Sequence, residues 1–131
     1  MALTAKKIEE GLTDENWEIR EEWAERTDFT PTPEQVERGL TDEYEFIRIR
    51  WAVRTDFTPT TKQIEIGLTD DNKFIRAAWT ERTDFTPTSK QIERGLTDEN
   101  EGVQEFWVIR VKKMSDMLLD NAYIEEECFS I

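Results

Sequence analysis

A strict 28-residue repeat constrains this chain more than any other feature. Gly11, Gly39, Gly67 and Gly95 are each followed by Leu-Thr-Asp, and Trp23, Trp51, Trp79 and Trp107 keep the same step, as do Arg26, Arg54, Arg82 and Arg110. Thr-Asp-Phe-Thr-Pro recurs from Thr27, Thr55 and Thr83. A period of this size that never slips means one supersecondary unit copied in tandem, each copy too small to bury its apolar side without a neighbour. The copies occupy 4–31, 32–59, 60–87 and 88–115 and are followed by a tail over 116–131. Residues 1–131 are accordingly expected to form a single repeat domain.

The punctuation within a copy predicts two helices. Thr32-Pro33-Glu34-Gln35 combines an N-cap threonine, a proline suited to the first turn and a glutamine able to reach back, and Thr60 with Gln63 and Thr88 with Gln91 repeat the pattern. Val36/Leu40, Ile64/Leu68 and Ile92/Leu96 then sit four apart on one face. Gly39 weakens the end of this short helix, and Thr41-Asp42-Glu43 offer an N-cap candidate and two acids for a second, spanning roughly residues 43–54. The Asp56-Phe57-Thr58-Pro59 loop stops it, because proline pushes the preceding residue out of helical geometry. On the second helix Ile19/Trp23, Ile47/Trp51, Ile75/Trp79 and Val103/Trp107 mark the core stripe. The expected fold is all-α: an α-solenoid of four helical hairpins with a helical, acidic C-terminal tail.

A second stripe on the same helix changes along the array. It reads Glu18, Glu21, Glu22 and Glu25 in the first copy, Phe46, Ile49, Arg50 and Val53 in the second, Phe74, Ala77, Ala78 and Glu81 in the third, and Gly102, Glu105, Phe106 and Ile109 in the fourth. If this flank faces the preceding copy, the first copy is a charged end cap. At the other end Met114, Met117 and Leu118 are expected to continue the last helix and cover the open core.

The string from Ile47-Arg48 through Trp51-Ala52 and Thr55-Asp56-Phe57-Thr58-Pro59 to Gln63-Ile64 and Gly67-Leu68-Thr69-Asp70 resembles the leucine-rich variant repeats and, more distantly, the HEAT-like repeats. The likeness covers residues 4–115 and rests on Ile19-Arg20, Ile47-Arg48 and Ile75-Arg76, each followed by the Thr-Pro loop; the fourth copy has Val103-Gln104. The resemblance implies right-handed stacking of a regular helix with a shorter one, and binding through an extended surface. Here the period is longer than the family's usual one and tryptophan replaces a smaller aliphatic residue. An iron–sulfur cluster found in one branch of the family needs several cysteines, and Cys128 stands alone.

Composition removes most catalytic chemistry. With no histidine and one cysteine the chain has no imidazole base, no Ser-His or Cys-His nucleophile pair, no histidine-bound metal and no intrachain disulfide. Asp70-Asp71-Asn72 with Glu81 has part of a calcium-loop spacing, but the glycine and the other oxygen ligands are missing. No phosphate loop, dinucleotide fingerprint or nucleophile elbow occurs. No enzymatic activity, cofactor or metal is expected. No stretch approaches eighteen apolar residues, so no membrane span is expected, and the cytoplasm is the expected location.

Charge points toward partners. Thirty acids against 17 bases give a net charge of −13, concentrated at the two ends: residues 4–31 hold nine acids and four bases, and 116–131 hold five acids and no base. Four stacked hairpins about 40 Å long would carry about one net charge per 3 Å, within a factor of two of the ~1.7 Å spacing on duplex DNA. Such a surface steers toward a basic protein and away from phosphate backbones and anionic lipid. In composition the chain is similar, as a class, to acidic DNA-mimic inhibitors of the anti-restriction and anti-CRISPR type. The candidate partner-binding residues are Glu9, Glu10, Asp14, Glu15, Glu18, Glu21, Glu22 and Glu25, with Glu125, Glu126 and Glu127 in the tail. Trp17 joins them because the same position is Glu45, Lys73 and Glu101 in later copies. The expectation is a monomer engaging a basic, nucleic-acid-binding protein; the alternative is a general repeat scaffold whose Trp17 and Tyr44 contact an ordinary protein surface. The regular arginines, Arg20/48/76 and Arg26/54/82, with Asp28/56/84, are expected to bond between copies, since identical residues suit identical stacking geometry.

Overall fold

The computed structural model describes the backbone of residues 3–129 and side chains through residue 117. The described chain is helical, with α1 Ala5–Leu12, α2 Trp17–Ala24, α3 Pro33–Leu40, α4 Glu45–Ala52, α5 Thr61–Leu68, α6 Lys73–Glu81, α7 Ser89–Leu96 and α8 Glu101–Phe129. It divides into two compact units, Met1–Thr86 and Pro87–Ile131. In the first, α1/α2, α3/α4 and α5/α6 pack as hairpins, α2, α4 and α6 lie side by side in a row, and α3 packs on α5. In the second, α7 packs on α8, which runs on through the tail as one helix of 29 residues.

Helices of eight residues are marginal in isolation, so their ends and their packing decide whether they form. Thr32, Thr60 and Thr88 each accept the amide N–H three residues on, while Gln35, Gln63 and Gln91 accept the amide of the threonine in return. The glutamines do more than close this box. Gln63 Nε2 donates to the Pro33 carbonyl at 3.0 Å and Gln35 Nε2 to Glu9 Oε1 at 3.2 Å, so each ties its hairpin to the one before.

The Thr-Asp pair behaves differently from the sequence expectation. Thr41 closes α3: its hydroxyl donates to the Glu37 carbonyl at 2.9 Å, as Thr13, Thr69 and Thr97 do to Glu9, Glu65 and Glu93. Asp42 makes the turn by accepting the Tyr44 amide at 3.0 Å, and Asp14, Asp70 and Asp98 repeat that bond. The N-cap therefore falls two residues after the aspartate. Asn16 and Asn72 accept the first amides of α2 and α6 there, and Asn100 accepts the Val103 amide in α8. Tyr44 occupies that place in the second copy and α4 starts without a side-chain cap, a loss of about 1 kcal/mol.

The core is the tryptophan stripe. Trp51, Trp79 and Trp107 are buried with Ile47, Ile75 and Val103, while Trp23, in the first hairpin, is half-buried. Each indole lies flat against a glycine of the partner helix. A Cβ on Gly11, Gly39, Gly67 or Gly95 would stand 2.2–2.3 Å from atoms of Trp23, Trp51, Trp79 or Trp107 respectively. No described glycine has positive φ, so the requirement is for space alone. The Trp79 indole N–H is buried without an acceptor, so packing fixes the ring's position.

The flank stripe is only partly covered. Phe46 is 52% exposed and Phe74 67%. Arg50 nonetheless does reach back to the preceding helix, 2.9 Å from Glu25 and 3.8 Å from Glu21. Helix α8 continues past Met114 as expected, but Met117 is 67% exposed and covers nothing, and the Leu118 side chain lies outside the described residues.

Gly39→Ala is expected to destabilise the protein by about 2–3 kcal/mol in thermal or urea unfolding, although alanine ordinarily favours a helix by up to ~1 kcal/mol over glycine. Gly102→Ala, whose new methyl would meet the Asn100 side-chain oxygen at 3.0 Å, is expected to shift stability by less than about 1 kcal/mol. Equal effects at the two sites would refute the seating of indole on glycine.

Candidate protein-binding surface

The first hairpin carries the acids singled out from the sequence, and the structure sorts them into two groups. Glu9 accepts from Arg38 Nη1 at 3.0 Å and from Gln35, which together hold its carboxyl below the ordinary glutamate range. Asp14 makes the turn into α2. Glu21 and Glu25 face Arg50. These four carry bonds within the fold, and Glu9 and Glu25 remain about half exposed while doing so. Glu10, Glu15, Glu18 and Glu22 are exposed, with no cation bonded to their carboxylates among the described residues. Glu125, Glu126 and Glu127 have side chains outside the described residues.

Trp17 is half-buried and forms an aromatic cluster with the next hairpin. Its ring stacks on Phe46 at 5.6 Å between centroids and tilts against Tyr44 at 5.9 Å. Beside this cluster lies an open groove of about 520 Å³ lined by Glu43, Tyr44, Glu45, Phe46, Arg48, Asp71 and Asn72. Sequence reasoning had named Trp17 and Tyr44 but not Phe46, which it assigned to the buried flank. The signal that was present is the break in the capping pattern, asparagine in three copies and Tyr44 in one.

The arginines are structural. Arg20 pairs through Nε with Asp42 at 2.9 Å, which holds its guanidinium further above the ordinary arginine value, and Arg48 pairs in the same way with Asp70. Arg20, Arg48 and Arg76 also donate to the carbonyls of Asp14, Asp42 and Asp70 in their own hairpins, at 2.7–2.9 Å. Asp70 and Asp71 both bind Arg48, and Asn72 caps α6, so the calcium-like triplet is occupied by these bonds. In the second ladder Arg26, Arg54 and Arg82 make two-pronged pairs with Asp28, Asp56 and Asp84. Arg54 donates back to the Ala24 carbonyl at 2.6 Å, and its guanidinium lies 4.9 Å from both the Phe29 and the Trp51 rings. Arg82 repeats this with Ala52, Phe57 and Trp79. Each such arginine bolts one hairpin to its predecessor through charge, a carbonyl and two rings.

Among the described residues no helix is long and apolar enough to cross a membrane, and no group of three potential ligands is placed to hold a metal ion. Comparison with protein-family models, curated proteins and solved structures gives no match.

Arg54→Met should cost about 2–4 kcal/mol because it leaves Asp56 and the Ala24 carbonyl short of a partner. Arg26→Met, exposed and with no preceding hairpin to bind, should cost much less in the same unfolding assay. For Glu9, the folded carboxyl sits below its unfolded value, so its stabilisation is present above the unfolded pKa and fades as pH falls through the folded one. Both partners are nearly half exposed, so Glu9→Gln should lower stability by less than about 1 kcal/mol at neutral pH. That difference should shrink as the pH falls below the ordinary glutamate range.

Proposed function

We propose that this chain is a non-enzymatic protein-binding module in which the four 28-residue copies build one α-solenoid, and that its acidic surface engages a basic, nucleic-acid-binding protein in the manner of a DNA mimic. The solenoid reading is supported by the first unit's three hairpins, which repeat their bonds at a 28-residue step, and by the same glycine–indole seat in the fourth. Its likeness to leucine-rich variant and HEAT-like repeats, and to acidic inhibitors of the anti-restriction and anti-CRISPR type, belongs to the same proposal. Action in the cytoplasm as a monomer completes it.

The observation that carries the functional reading is the fate of the cations. All eight arginines of the first unit bond a carboxylate or carbonyl within it. Lys62 pairs with Glu37. Glu10, Glu15, Glu18 and Glu22 thus face solvent without a bonded counter-charge, and they concentrate the chain's net negative charge at this end of the first unit. Such a field accelerates association with a basic surface and repels nucleic acid itself.

Reversing Glu10, Glu15, Glu18 and Glu22 to lysine should change folding stability by less than about 1 kcal/mol, since all four are exposed. It should also abolish capture of basic nucleic-acid-binding proteins from a nuclease-treated lysate, read by mass spectrometry. Capture by the natural chain should weaken about tenfold or more from low to moderate salt. Binding indifferent both to salt and to the reversal would favour the neutral-scaffold alternative.

A further inference from the structure

The groove beside α4 combines exposed rings with carboxylates, and its sequence departs from the repeat where a ligand would need it to. At the N-cap position three copies have asparagine, which caps; the second has Tyr44, which leaves α4 uncapped and stands 39% exposed. Two residues on, Phe46 is exposed by half, with Trp17 stacked behind it. A ring stands where the other copies have a cap; it packs on Trp17 and under Arg20, yet it and the neighbouring Phe46 keep much of their surface exposed.

The third copy shows what this position of the repeat accommodates. There Phe74, equivalent to Phe46, has a cation on its ring: Lys73 Nζ lies 5.3 Å from the centroid. In the second copy the residue equivalent to Lys73 is Glu45, and no cation among the described residues lies over Phe46. Glu45 is held in place by Asn72 Nδ2, which donates to its Oε2 at 2.6 Å. Glu43 stands at the same groove, and the groove's own cation, Arg48, is already engaged by Asp70 and Asp71. In the second copy Arg20 lies over the Tyr44 ring at 5.6 Å, whereas the Phe46 ring, with Glu43 and Glu45 beside it, has no cation over it among the described residues.

We propose that the Tyr44–Phe46 groove, with Glu43 and Glu45 at its rim, receives an arginine side chain from a basic segment of the partner protein. This rests on the basic-partner reading above and gives it a recognition point. Arginine fits better than lysine because its planar guanidinium stacks on a ring face while donating N–H bonds to flanking carboxylates. Phosphate and anionic lipid are repelled by the same carboxylates.

The test uses the full chain and two fluorescent peptides of equal charge, nona-arginine and nona-lysine, titrated at about 150 mM salt. The natural protein should bind nona-arginine roughly fivefold more tightly than nona-lysine. Tyr44→Asn with Phe46→Leu, which removes no charge, should weaken nona-arginine about fivefold and bring the ratio near one. The circular dichroism spectrum should be retained, since Tyr44→Asn supplies the cap that the other copies have. If the natural chain binds both peptides alike, or the double variant keeps its arginine preference, the groove is not the recognition point, while the acidic reading survives in the binding that remains. If the natural chain binds neither peptide, the basic-partner reading falls and the groove assignment with it.

Discussion

Everything in this fold hangs on an indole lying against a glycine. Within each hairpin the two helices approach closely enough that a Cβ on the glycine would stand 2.2–2.3 Å from the tryptophan ring. That contact sets the distance and angle between the helices, and it recurs in all four copies because both residues recur. A flat ring between helices also offers its edge and far face to a neighbouring hairpin, and the guanidinium groups of Arg54 and Arg82 lie over those rings. Close packing within a hairpin and coupling between hairpins therefore share one side chain.

Arginine supplies the second level of order. Hydrophobic burial is non-directional and would tolerate a slip between stacked hairpins, whereas a guanidinium held by a two-pronged carboxylate pair, a carbonyl and two rings permits one register. Arg20–Asp42 and Arg48–Asp70 fix one edge of the hairpin row, Arg54 and Arg82 the other. These bonds also shape the exterior, since all eight arginines of the first unit are engaged within it while Lys6, Lys7 and Lys73 stay exposed. Pairing takes acids and bases out together, so the exposed surface keeps the negative excess that the sequence already carries.

The helical architecture was legible in the sequence to a large extent. The period, the capping boxes at Thr32, Thr60 and Thr88, the tryptophan stripe and the structural use of the arginines follow from residue type and spacing. The Thr-Asp pair was misread because threonine caps either end of a helix by different bonds, and only the closing of α3 decides between them. The exterior was legible in part. Glu10, Glu15, Glu18 and Glu22 are exposed with no bonded cation, whereas Glu9, Glu21 and Glu25 bond Arg38 and Arg50 of the next hairpin, which no local pattern indicates. Phe46 and Phe74 are exposed where the flank argument required burial.

The sequence by itself determined what depends on near neighbours in the chain: helix positions, the capping boxes at Thr32, Thr60 and Thr88, the core stripe and the acidic balance, which residue type and short spacing decide. Only the tertiary structure decided which glycine must stay bare, which carboxylates keep their charge unshared, and that Trp17, Tyr44 and Phe46 meet beside an acidic groove. Those outcomes rest on contacts between residues 12 to 30 positions apart. Their geometry is fixed by how closely each hairpin shuts and where the next one lands, and no local pattern carries that information.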